Sequence, residues 1–143
     1  MKSLSIRLGA LFGFLGVGLG AFGAHGLKDI LSPYGVSIFE KAVLYHLIHA
    51  VALVALGGAA YGGALRPSIV SKVAILFSVG IVLFSGSLYL LAITELRWLG
   101  AITPVGGTAF IVGWFILARW GGSPRAELTT PAGKATVSEV RAV

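Results

Sequence analysis

Three histidines, His25, His46 and His49, are the side chains of this sequence best suited to proton or ligand chemistry near neutral pH. His46 and His49 stand three apart and Tyr45 stands four before His49, so on a helix they occupy neighbouring faces. Glu40 lies just before them, while Glu95, Thr103 and Pro104 come from the far half of the chain. Such a group could ligate a metal or a haem iron. It could also relay protons along a path or hold a polar head group. The chain has no cysteine, which removes thiolate metal sites, disulfides and cysteine nucleophiles. There is no P-loop, no G-x-S-x-G and no H-E-x-x-H. Gly18 to Gly23 does spell G-x-G-x-x-G. It lies inside an apolar run with no strand before it, so it is not a dinucleotide fingerprint. The expectation is a chain with no catalytic residues, no metal and no cofactor, and not an enzyme.

The elements that must carry these residues follow from composition. The 143 residues are 57% hydrophobic and only 11% charged, with a mean hydropathy of +0.95. A water-soluble domain carries about 25% charged residues, so lipid is the expected solvent. A spanning helix needs about 20 mostly apolar residues. Four segments qualify: about Leu4 to Ala24, Ala42 to Tyr61, Val73 to Thr94 and Trp98 to Ala118. Backbone in lipid must satisfy its own hydrogen bonds, which makes them helices. The fold class expected is an all-α integral membrane protein, a four-helix transmembrane bundle. Leu27, Ile30, Leu31 and Tyr34 follow i, i+3, i+4, i+7 spacing and predict a short interfacial helix between spans one and two. Residues 1–120 form the bundle, and residues 121–143 read as a mobile cytoplasmic tail with too little apolar surface to fold alone. Lys2 and Arg7 ahead of an apolar run also fit a cleaved signal peptide. The length of that run and its patterned glycines favour a retained span.

Charge sets the orientation. Four spans put both termini and the middle loop on one side, with Lys2, Arg7, Arg66, Lys72, Arg119, Arg125, Lys134 and Arg141 against Glu127 and Glu139. The other side has Lys28, Lys41 and Arg97 balanced by Asp29, Glu40 and Glu95. The positive-inside rule then places both termini in the cytoplasm, in a cell inner membrane. The net charge of +6 is thereby a topology signal and needs no nucleic acid to explain it.

Glycine supplies the packing signal. Gly9, Gly13, Gly16, Gly20 and Gly23 fall within an arc of about 80° on span one at 100° per residue. Gly18 lies opposite. Such a stripe admits a neighbouring backbone closely, here within the bundle in preference to a second copy. Ser85, Gly86 and Ser87 give span three a small-residue centre, where serine hydroxyls can bond to a carbonyl one turn back. Thr103-Pro104 followed by Gly106 and Gly107 interrupts span four. Either Thr103 caps a helix starting at Pro104 or one long helix kinks there. On these boundaries His25, Tyr45, His46, His49, Glu40, Glu95 and Thr103 gather in one outer-leaflet layer. The expected role of that layer is to lock the outer end of the bundle through neutral histidines.

Four motifs in order also resemble a known family: Gly20-Ala21-Phe22-Gly23-Ala24-His25-Gly26-Leu27, Tyr45 with His49, Leu83 to Tyr89, and Thr103 to Gly107 with Gly113-Trp114. The chain is similar over about Leu8 to Ala118 to the uncharacterised small membrane proteins called domain of unknown function 423, a YgdD-like group that resembles the eukaryotic transmembrane protein 256. The resemblance implies a multi-span inner-membrane protein with an uncleaved first helix and no established activity. The family usually has Gln where this chain has His46, so His25 and His49 are the residues that match its pattern. The function expected is a non-enzymatic structural or accessory component, embedded in the lipid bilayer and associating with itself or with a larger membrane complex. The alternatives are a small transporter or proton-conducting element that uses His25, His49 and the Pro104 break, and a haem or metal protein.

Overall fold

The computed structural model describes residues 2–122. The part of the expected tail from residue 123 onward lies outside the described residues. Helix α1 spans Lys2–His25, α2 Pro33–Tyr61, α3 Pro67–Gly80, α4 Gly86–Thr94 and α5 Thr103–Trp120. A π-helical turn, Ile81–Ser85, joins α3 to α4, and a 3-10 turn, Arg97–Ala101, leads into α5. The described residues thus make four apolar crossings: Ser3–His25, Pro33–Tyr61, Pro67–Thr94 and Arg97–Trp120. Among the described residues there is no strand. The described residues form the four-helix bundle that composition predicts.

Two spans begin earlier than the sequence reading has them: the third at Pro67, six residues before the expected Val73, and the second by more. Helix α2 begins at Pro33, nine residues before the expected Ala42. Ser32 is extended, its Oγ accepts from the Gly35 N–H at 3.1 Å, and Pro33 occupies the first turn. That is a strong start signal, because proline sacrifices no intrahelical bond there and a serine cap satisfies one of the orphan donors. Glu40 and Lys41 are both exposed, so charge within the sequence did not end the helix. The early start leaves no room for a separate interfacial helix. Gly26 to Ser32 is a set of turns in which the Leu27 carbonyl accepts from Ile30 and Leu31. Leu27 turns into the bundle while Ile30 and Tyr34 face outward.

The third span is also not a regular α-helix throughout. The Gly86 N–H bonds back to the Ile81 carbonyl, five residues earlier, which is the π geometry. At this point Gly106 of α5 meets the Phe84 backbone, and Gly80 meets the Phe110 ring. Helix α5 is broken from the preceding turn and not kinked: Arg97–Ala101 is 3-10, and Pro104 falls in the first turn of α5. Thr103 is itself the first residue of α5, and the cap position falls on Ile102, whose side chain makes no bond.

Helix α1 packs along α2 through its glycines. A Cβ at Gly9 would meet the Ala50 carbonyl at 2.7 Å, at Gly16 the Leu47 side chain at 2.7 Å, at Gly20 Val43 at 3.2 Å and at Gly23 Phe39 at 2.6 Å. Gly13 has nothing within 4 Å. The buried Ser5 hydroxyl adds a bond to the Leu53 carbonyl at 2.8 Å. Two apolar cores result. One gathers Leu53, Leu56, Val70, Val73, Phe77 and Phe110; the other gathers Leu27, Ile38, Phe39, Ala42, Leu91 and Leu99. Along α2 the pair His46 and His49 falls between them.

Candidate functional site

The early start of α2 moves two histidines to mid-depth. His46 and His49 lie on either side of residue 47, the middle of a 29-residue helix. At 1.5 Å per residue they are about 20 and 24 Å from its start. A polar side chain at that depth must find partners inside the protein.

His49 finds them fully. Its Nδ1 is 2.8 Å from the Tyr45 carbonyl one turn back, and its Nε2 is 3.1 Å from the Trp114 Nε1 of α5. An indole N–H only donates and a carbonyl only accepts. The ring must therefore carry its proton on Nδ1 and offer a lone pair at Nε2, the neutral tautomer. The Phe110 ring stacks on it with centroids 3.5 Å apart at 13°, and Phe77 meets it edge-on. One imidazole thus ties α2 to α3 and α5.

His46 is buried and its Nδ1 pairs with the Tyr89 hydroxyl of α4 at 3.2 Å. On the α1 side it meets the Phe12 ring edge-on. Its buried Nε2 has no hydrogen-bond partner, so His46 links α2 to α4 with one nitrogen only.

The remaining residues of the expected layer lie elsewhere. His25 is exposed at the end of α1. Glu40 is exposed on α2. Glu95, at φ 56°, closes α4 and its Oε1 accepts from the Ser32 hydroxyl at 3.0 Å. Thr103 pairs with Ser87 at 2.9 Å, and Ser87 also donates to the Phe84 carbonyl. Tyr45 is partly exposed, with its ring against Phe84. The single outer layer therefore separates into a rim holding His25 and Glu95, an intermediate level with Thr103 and Ser87, and a mid-depth centre of Tyr45, His46 and His49. The cause is that α2 starts at Pro33 and not at Ala42, which puts thirteen helical residues ahead of His46. Of the small residues in span three, Ser85 is wholly buried with an unpartnered hydroxyl, while Gly86 has nothing within 4 Å of its would-be Cβ. Close approach falls instead on Gly80 and Gly106.

Sequence reasoning missed Tyr89 and Trp114 as site residues. A signal existed: each is an aromatic with one polar atom inside an apolar helix, and such atoms take a partner when buried. Among the described residues, no group of three or more His, Cys, Asp or Glu side chains could hold a metal ion.

Four apolar helices long enough to cross a bilayer, fastened at mid-depth by imidazoles, define a small four-span integral membrane protein. The chain belongs to the family described as Protein of unknown function (DUF423), which it matches over residues 19–107. It is 49% identical over 112 residues to the UPF0382 membrane protein SSP2132 of Staphylococcus saprophyticus, covering 78% of this chain and 91% of that one. It is 47% identical over 114 residues to the UPF0382 membrane protein SH2409 of Staphylococcus haemolyticus, covering 80% and 91%. It is 44% identical over 112 residues to the UPF0382 membrane protein YwdK of Bacillus subtilis, covering 78% and 90%. These names carry no activity. No solved structure matches the chain.

Proposed function

We propose that this protein is a non-enzymatic structural or accessory component of a membrane assembly, resident in the cell inner membrane with both termini in the cytoplasm. The observation that carries this reading is His49. Both of its ring nitrogens are engaged, one by its own helix and one by Trp114 of α5. An imidazole so engaged is a clasp between helices, and it must break a bond before it can accept a proton or ligate a metal. The orientation rests on charge. The end of the bundle that holds the start of α1, the α2–α3 connection and the end of α5 carries Arg7, Arg66, Lys72 and Arg119 with no acidic residue among residues 2–122.

The test is a pair of measurements on the intact protein. Purified in mild detergent, it should migrate in a larger complex, itself or with partner subunits, and deletion should remove or shrink that complex. A clean monomer with no complex altered by deletion contradicts the reading. Reconstituted in liposomes, the wild type and His49→Ala should both leak protons no faster than empty vesicles.

A second reading, a small proton-conducting element, draws on a specific observation. His46 leaves Nε2 unpartnered in the centre of the bundle, and the Ser85 hydroxyl is buried without a partner as well. That reading requires pH-dependent flux that His46→Ala removes. Flux equal to that of empty liposomes ends it.

A further inference from the structure

A cleft of about 440 Å³ runs between α1 and α2 on the lipid-facing surface, beneath the Gly26 to Ser32 connection. Its lining includes Gly20 and Gly23 on one side, Val43, Leu44 and Leu47 on the other, and Lys28 and Glu40. Its shape and its charges point to different parts of one molecule. From Val36 to Leu47 the lining climbs eleven residues of helix, about 16 Å at 1.5 Å per residue. Half of a hydrocarbon core about 30 Å thick is about 15 Å. The upper part of that length, down to Glu40, belongs to the polar end, and the apolar part from Glu40 to Leu47 is seven residues or about 10 Å, room for the upper half of an acyl chain.

The charged end is formed by one cation and one anion. Lys28 lies in the connection, just beyond the end of α1, and Glu40 stands two turns into α2. An ammonium donor suits a phosphate, and a carboxylate suits a primary ammonium that can donate hydrogen bonds to it. A quaternary ammonium has no N–H to give, and the hydroxyls of an anionic glycerol head group can donate to Glu40 but bring it no positive charge while its phosphate adds a net negative one. We infer that this cleft is a binding site for one zwitterionic glycerophospholipid with a primary-amine head group, its phosphate on Lys28, its ammonium on Glu40 and the upper half of one acyl chain along the glycine-floored trench. The site is separate from the histidine clasp, and it requires only that the helices span the bilayer.

The test is native mass spectrometry of the full chain released from detergent, after exposure to phosphatidylethanolamine, phosphatidylcholine and phosphatidylglycerol of matched acyl chains. Phosphatidylethanolamine should be retained roughly tenfold over the other two, the scale of one charge-assisted hydrogen bond. Glu40→Gln keeps an acceptor but loses the charge and should sharply reduce the preference over phosphatidylcholine, and Lys28→Gln should lower retention of all three lipids together. Lys41→Gln removes a neighbouring exposed cation outside the cleft and should change nothing. All three positions are exposed, and unchanged helical circular dichroism confirms that each variant folds. Equal retention of the three lipids overturns the site, as does a preference that Glu40→Gln leaves intact or that Lys41→Gln reduces equally. A lipid-free dimer that fills the cleft with a second copy overturns it too.

Discussion

At the scale of single residues, what matters is how two imidazoles are held in the middle of a long apolar helix. His49 is held by exhausting its hydrogen-bonding capacity on Tyr45 and Trp114. Trp114→Phe keeps the ring stack but deletes the donor, and it should cost about 0.6 kcal/mol of stability and no more than about 1.7, the average and the maximum for such bonds between membrane helices. His49→Ala should cost more, because it strands the Trp114 N–H and opens a cavity beside Phe77 and Phe110. Unfolding in detergent, followed by circular dichroism, ranks the two. If Trp114→Phe proves neutral, the bond carries no load. The spacing of Tyr45, His46 and His49 was legible in the sequence, since it needs only a helix. Their partners were not. Tyr89 and Trp114 lie 43 and 65 residues away from theirs, and only the packing of separate helices brings them near.

At the scale of elements, the seam between α1 and α2 decides the bundle. The glycine stripe read from the sequence does face a neighbouring helix of the same chain, but its members are unequal. Gly9→Ala would drive a methyl against main-chain atoms of Ala50 and Val54, which cannot rotate away, and should destabilise by about 1–3 kcal/mol. Gly13→Ala meets nothing within 4 Å and should stay within about 0.5 kcal/mol of the wild type. Thermal unfolding of the two variants in one detergent checks the contrast, and equal effects would mean the seam is elsewhere. An 80° arc cannot single out Gly13, because a stripe fixes a face and says nothing of which turns touch. The start of α2 was hidden for a different reason. Hydropathy falls at Glu40 and Lys41, and a window read that fall as a helix end, whereas Ser32-Pro33 supplied the real start. The π turn at Ile81–Ser85 had no signal of its own, because it accompanies the press of Gly106 on the Phe84 backbone.

For the whole molecule, the crossing number followed directly from apolar length, and the four helices agree with it. The orientation proposed from the basic residues is open to labelling, because the chain has no cysteine of its own. With a membrane-impermeant maleimide on intact cells, Asp29→Cys should be modified, and Ser68→Cys should react only after permeabilisation. The reverse pattern inverts the topology. The central claim is that the mid-depth His49 joins helices as a neutral ring. Nitrogen-15 NMR of the histidine side chains in detergent micelles at neutral pH tests it most directly. The account predicts a proton on Nδ1 of His49 and a lone pair at Nε2 accepting the Trp114 indole N–H. A His49 found protonated on Nε2, alone or as the imidazolium, would contradict it.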